Sequence, residues 1–293
     1  MKGQLFPEEM MPYNAEISRA NPTCFIFLVD QSASMRESFQ TNQGKTTKAE
    51  AVANAINKLL QNLVSKSTKS DGIRDYYHIA LIGYGGMGVK SALGGNLQGK
   101  EMVPISLIGN YPVRVEERVK QLKDARGNLI TKKMNMPVWL EPIGGGGTPM
   151  CAAFDYCNKL LAKWLSQYPN CFPPLVVNIT DGESTDGDPT ARANQLKQLS
   201  SSDGKVLLLN IHISATSSSP VEYPENDKEL ADDFARQLFG MSSTLTSYMV
   251  KVLSDEGFKV SPASRGFVFN ANFEVLIRFI DIGTRPSNIC MIV

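Results

Sequence analysis

Apolar positions along the chain fall into two alternating patterns. TCFIFLVD (23–30), HIALIGYG (78–85), LVVNITD (175–181), KVLLLNIHIS (205–214) and RGFVFNA (265–271) are short, nearly continuous apolar runs. Such runs suit strands covered on both faces, as in a parallel sheet. Between them the period changes. KAEAVANAINKLLQNLV (48–64) sets Val52, Ala55, Ile56, Leu59, Leu60 and Leu63 on one helical face, predicting a helix of about four to five turns. DPTARANQLKQLSS (188–201) reads as a helix with Asp188 as N-cap and Pro189 at the first helical position. ELADDFARQLF (229–239), LTSYMVKVLSDEG (245–257) and FEVLIRFIDIG (273–283) are helical as well, the last two stopped by Gly257 and Gly283. Strand and helix alternate from residue 23 to residue 283. That order predicts an α/β fold, a doubly wound, mostly parallel, Rossmann-like sheet with helices on both faces.

Residues 86–140 break the alternation. Many glycines are followed by VRVEERVKQLKDARGNLITKKMNMPVWL, two extended-looking segments around the turn-rich KDARGN. The expectation is a β-rich, hairpin-like insertion in a domain spanning 22–283; a helix over 115–123 is the alternative, since Glu, Arg, Lys, Gln and Leu all favour helix. Residues 1–21 read as an irregular leader and 284–293 as an apolar tail.

Charge narrows the function classes. Thirty basic residues face 29 acidic ones, for a formal net charge of +1, so the basic surplus of a nucleic-acid binder is missing. No apolar run is long enough to span a membrane, and the N-terminus lacks the apolar stretch and cleavage site of a secretory signal. Five cysteines (Cys24, Cys151, Cys157, Cys171, Cys290) include no CxxC pair, which predicts free thiols in a reducing cytoplasm rather than a disulfide framework. With two histidines and no Cys/His ligand spacing, a zinc site is not expected.

Candidate chemistry sits in three separated segments: Asp30-Gln31-Ser32-Ala33-Ser34 after the first strand, Gly144-Gly145-Gly146-Gly147-Thr148-Pro149 before a helix starting near Met150, and Thr180-Asp181-Gly182 ending the third strand. In open α/β sheets ligands bind beyond the carboxyl ends of strands. Asp30, Ser32, Ser34, Thr148 and Asp181 offer two carboxylates and three hydroxyls, hard oxygen ligands suited to Mg²⁺ or Mn²⁺. With so little ligand charge the ion stays electrophilic, and an open coordination position attracts an external carboxylate.

The set DQSAS, GGTPM, ITDGE, in that order, resembles the von Willebrand factor A domain family, whose metal-ion-dependent adhesion site has the pattern DxSxS…T…D. The resemblance covers roughly residues 22–283 and says little about 86–140. It implies that Ser32 and Ser34 contact the metal directly, and that Thr148, Asp30 and Asp181 do so directly or through water. The stretch from DQSASM through GGGGTPMCAA to NITDGESTDGDP further looks like bacterial members associated with tellurite resistance, a group linked with a protein kinase and a metal-dependent phosphatase. The expected function is a non-enzymatic module whose ion engages an Asp or Glu of a partner protein. The final helix, by the same resemblance, shifts when the site changes state. The rival is a metal-dependent hydrolase or phosphatase with Glu183 as general base.

Other motifs point elsewhere. Gly83-Tyr84-Gly85-Gly86-Met87-Gly88 matches GxGxxG, but VKSALGGNLQGK after it is too glycine-rich to open the helix that binds a pyrophosphate. TDGESTDGD lacks the spacing of a calcium loop, leaving Glu183, Asp186 and Asp188 as rim charges and a helix cap. His78 and His212 read as satisfied sheet-face histidines. No GxSxG elbow occurs, and Cys290-Met291-Ile292-Val293 matches a prenylation box in shape only.

Overall fold

The computed structural model describes residues 12–41, 44–123, 129–214, 219–230 and 232–283. The strands of the main sheet are β1 (Thr23–Gln31), β2 (Tyr77–Gly85), β3 (Gly88–Ser91), β6 (Leu175–Thr180), β7 (Leu207–Ile213), β8 (Val221–Glu222) and β9 (Phe267–Ala271). A separate hairpin is formed by β4 (Arg114–Lys123) and β5 (Leu129–Val138). The main sheet runs β8-β9-β7-β6-β1-β2-β3, with Val103–Pro104 paired to β2 as its eighth strand. β9, β7, β6, β1 and β2 are mutually parallel, while β8 and β3 close the two edges antiparallel. The chain passes from β1 to β2 on one side, then returns across β1 to β6 and continues outward. The strand order therefore reverses between β1 and β6, the switch point at which open α/β sheets leave a crevice.

Period-two alternation distributes β1 between two cores. Phe25, Phe27 and Val29 pack beneath α1 (Lys48–Ser67), α2 (Ile105–Asn110), α6 (Ser247–Asp255) and α7 (Phe273–Gly283). Cys24, Ile26 and Leu28 face α3 (Met150–Gln167), α4 (Thr190–Gln198) and α5 (Asp233–Met241). Burial on both faces explains why the strands are apolar runs rather than alternating ones. Two asparagines interrupt these runs and satisfy each other. Tyr84 donates to Asn178 Oδ1 at 2.7 Å, Asn178 Nδ2 to Asn210 Oδ1 at 3.0 Å, and Asn210 Nδ2 to Ser242 Oγ at 2.9 Å. A buried amide without partners would be costly.

Helix α1 starts at a capping box in which Thr47 accepts from the Glu50 amide and Glu50 from the Thr47 amide. Residues 114–123 form a strand, not the alternative helix. Ten consecutive cross-strand pairs with β5 outweigh the helix propensity of single residues. The turn residues 124–128 lie outside the described residues. Helix α4 is shorter than the 188–201 pattern, and Pro189 takes the cap position with the Asp188 carboxylate accepting from the Thr190 amide at 2.8 Å. The expected leader is irregular over 12–21, tied to the body where the Asn14 and Ala15 amides donate to Asp203. Cys24, Cys151, Cys157 and Cys171 are free and buried, while Cys290 and the tail 284–293 lie outside the described residues. Among the described residues no helix is long and apolar enough to cross a membrane.

Candidate metal centre

β1 delivers Asp30 to the switch point fully buried. Its carboxylate turns back on its own chain, accepting from the Ser32 amide at 2.8 Å and from the Thr180 hydroxyl at 2.7 Å. The short helical turn Ala33–Arg36 then brings Ser34 beside Ser32, with 3.0 Å between the hydroxyl oxygens. Ser34 Oγ donates to Asp181 Oδ1 at 2.7 Å. Four of the five residues expected at the site thus form one continuous chain, Asp30–Ser32–Ser34–Asp181.

The loop that carries Thr148 is tied to the same segment through its backbone. The Gly145 amide donates to Gln31 O at 2.8 Å and the Ala33 amide to Gly146 O at 2.9 Å, lacing residues 144–148 to the DQSAS segment. From the other side, the Thr148 amide donates to Thr185 Oγ1 and the Thr185 amide to Thr148 O, both at 2.9 Å. Thr148 itself is 5% exposed. Gly146 has φ +72°, and a Cβ there would lie 2.2 Å from Gly86 Cα. Gly86 of GYGGMG therefore serves a close backbone approach to the 144–147 loop, while Gly83 and Gly85 make room for Gln31.

Two residues that sequence reasoning gave no role, Thr180 and Lys48, complete the cluster. Thr180 holds Asp30, as above. Lys48 is 5% exposed and its ammonium donates to Asp181 Oδ2 at 2.9 Å and to Glu37 Oε2 at 2.7 Å. The signal for Lys48 was the Thr47-x-x-Glu50 capping box, which puts residue 48 at the first helical position. Asp186 is a helix cap, but of α3 rather than of its own segment: its carboxylate accepts from the Cys151 and Ala152 amides, each at 2.9 Å. Helix α3 begins at Pro149 without a side-chain cap of its own, so the β6–α4 loop supplies one. Glu183 is exposed on the rim.

Burial pushes the Asp30 carboxyl up to about 6, against the hydrogen bonds from Ser32 and Thr180 and with a smaller push from the Asp181 charge. Burial also acts to lower Lys48, yet its bonds to Glu37 and Asp181 outweigh that and hold it above the ordinary lysine value. His212 is near the site in space though not in sequence. Burial lowers it to about 4, while a hydrogen bond with the Asp181 backbone and nearby carboxylates pull the other way.

The donor set fits a hard divalent cation. Ser32 Oγ, Ser34 Oγ and the Asp181 carboxylate are successive neighbours within 3.0 Å, and neutral hydroxyls outnumber charges. Both Asp30 oxygens are already engaged, so Asp30 suits a role one layer back, orienting Ser32. Among the described residues no three His, Cys, Asp or Glu side chains converge as a metal-holding group; the bonded run Ser32–Ser34–Asp181 has one carboxylate and two hydroxyls.

No family model matches the chain, and no curated protein does. Solved structures similar to it include the pilus adhesin of Streptococcus pneumoniae, at 16% identity and TM-score 0.29, covering 58% of this chain and 22% of that one. Another is the adhesive tip pilin of Group B Streptococcus agalactiae, at 14% identity and TM-score 0.29, covering 83% and 72%. The chain thus spans about a fifth of the first of these. At such TM-scores neither likeness informs the fold or the function.

Proposed function

We propose that this chain is a divalent-metal-dependent protein-binding module with a von Willebrand A-type Rossmann-like fold. Ser32, Ser34, Thr148 and Asp181 would hold Mg²⁺ or Mn²⁺, with Asp30 orienting Ser32. The bound ion would supply an electrophilic point for an Asp or Glu of a partner protein. The motif resemblance favours a kinase or phosphatase of a bacterial stress or signalling system as that partner, and a cytoplasmic setting. The observation that carries the reading is the convergence of Ser32, Ser34 and Asp181 around buried Asp30 at the sheet's switch point.

The protein's part is to prepare the site. Thr180 and the Ser32 amide fix Asp30, the glycine loop is laced to the DQSAS segment through its backbone, and α1 presents its amino end. A module is favoured over a hydrolase because the side chains bonded to the Asp181 carboxylate are a hydroxyl and an ammonium. Glu183, the carboxylate a hydrolase would use as its base, is exposed on the rim. Calorimetric titration with Mg²⁺ tests this. Wild type should bind at one site, and Ser32→Ala and Asp181→Asn should each weaken binding about tenfold or more, equivalent to roughly 1.4 kcal/mol. Equal binding by all three proteins would refute the site. Phosphate-ester turnover lost in Glu183→Ala would instead establish the enzyme.

A further inference from the structure

We propose that the Lys48 ammonium is a built-in cation that holds the Asp181 carboxylate until a divalent ion displaces it. The inference rests on the metal-site reading above and adds a competitor to it.

Lys48 is fixed in place by its backbone as well as its side chain. Its amide donates to Glu37 O at 3.1 Å, and the capping box on Thr47 and Glu50 starts helix α1 at this residue. Its ammonium is then shared between two carboxylates of different character. Asp181 has a fully buried side chain, whereas that of Glu37 is 61% exposed. Asp181 has one oxygen on Ser34 and the other on Lys48, so both oxygens are taken in this arrangement. Unlike Ser34, which can offer its own oxygen lone pairs to a cation, an ammonium has only donors and repels an arriving divalent ion.

Glu37 makes displacement feasible. Releasing Asp181 does not strand Lys48 as an unpaired buried charge, an arrangement that would be strongly unfavourable. The ammonium keeps its bond to Glu37, whose exposed carboxylate sits toward solvent. Lys48 therefore balances the buried Asp181 in the metal-free protein and yields in the loaded one. Its charge sets a threshold for metal: the site fills only when the ion outcompetes an ammonium already present.

The experiment compares Mg²⁺ binding by calorimetry and metal-free thermal melting in wild type, Lys48→Met and Lys48→Gln. The glutamine keeps a donor without the charge and covers the case in which the methionine variant fails to fold. The expected result is Mg²⁺ affinity raised about tenfold or more in the neutral variants, together with a lower metal-free melting temperature that Mg²⁺ restores. Affinity unchanged or reduced in both variants overturns the proposal while leaving the metal site standing, with Lys48 then a positioning residue for Asp181. Absence of Mg²⁺ binding in all three proteins overturns the proposal and the metal reading together.

Discussion

Where the parallel strands begin, the molecule is closed by rings. Phe25 stacks on Tyr77 with centroids 5.2 Å apart, and His78 meets Trp164 and Tyr168 edge-on at 5.9 and 5.2 Å. Where the same strands stop, Asp30, Thr180, Asp181 and Lys48 lie buried among hydroxyls and backbone amides. Both ends belong to the same sheet, and β1 contributes Phe25 to one and Asp30 to the other. The difference follows from chain direction. In a parallel α/β unit the strand carboxyl ends and the helix amino ends meet on one side, which gathers unpaired N–H groups there. Carboxylates and hydroxyls satisfy those donors, as Asp186 does for α3. At the other end few such donors remain, and aromatic packing with one paired indole closes it.

If that contrast is right, the carboxyl end should be the less forgiving of added bulk. Gly146→Ala places a methyl against the Gly86 backbone at a positive φ. Strain and overpacking together should cost about 2–4 kcal/mol in chemical denaturation without metal. Gly257, with φ +90° and open space around it, is the control. Alanine there should cost only about 1–2 kcal/mol, from conformation alone. Equal losses at the two sites would mean that the glycine loop rearranges freely and is no rigid wall of the site.

A smaller effect is expected from the cap. Asp186→Ala removes the acceptor for two α3 amides and should cost about 1 kcal/mol. Hydrogen exchange should speed up selectively at Cys151 and Ala152, and Asp186→Asn should recover most of the protection. Unchanged exchange would show that solvent caps α3 equally well.

The order of strands and helices was legible because burial on both faces leaves an unmistakable apolar run, as in 23–30 and 175–181. The five candidate residues stand out in the sequence because carboxylates and hydroxyls cluster at two strand ends and in one glycine loop. What could not be read was the lacing between them. The amide of Ala33 finds Gly146 O across more than a hundred residues, and Lys48 reaches Asp181 across 133. No local pattern encodes such pairs. Boundaries failed where two structures competed for the same residues. Lys205, read as the start of a strand, instead pairs back with Ser200. Hairpin strand 114–123 kept a helical alternative because its partner, β5, decides the matter, and pairing is not a property of one segment.

The finest test lies at the ring-closed end. Trp164 Nε1 donates to His78 Nδ1 at 2.8 Å, a bond that needs a neutral imidazole. Burial lowers the His78 pKa, and the nearby Asp75 charge only partly opposes this. The sign follows from linkage. Above the unfolded value, about 6.5, His78 is neutral folded and unfolded, and its contribution is complete. As pH falls below that value the unfolded chain takes up a proton first, so stability drops until the folded pKa is passed. His78→Gln keeps an acceptor for the Trp164 indole but cannot titrate. Denaturation curves for the two proteins between pH 7.5 and 5 should therefore draw together as pH falls, whatever the other groups do, because those are common to both. Parallel curves would show that His78 titrates alike in the folded and unfolded chain, and that the aromatic end is no drier than the polar one.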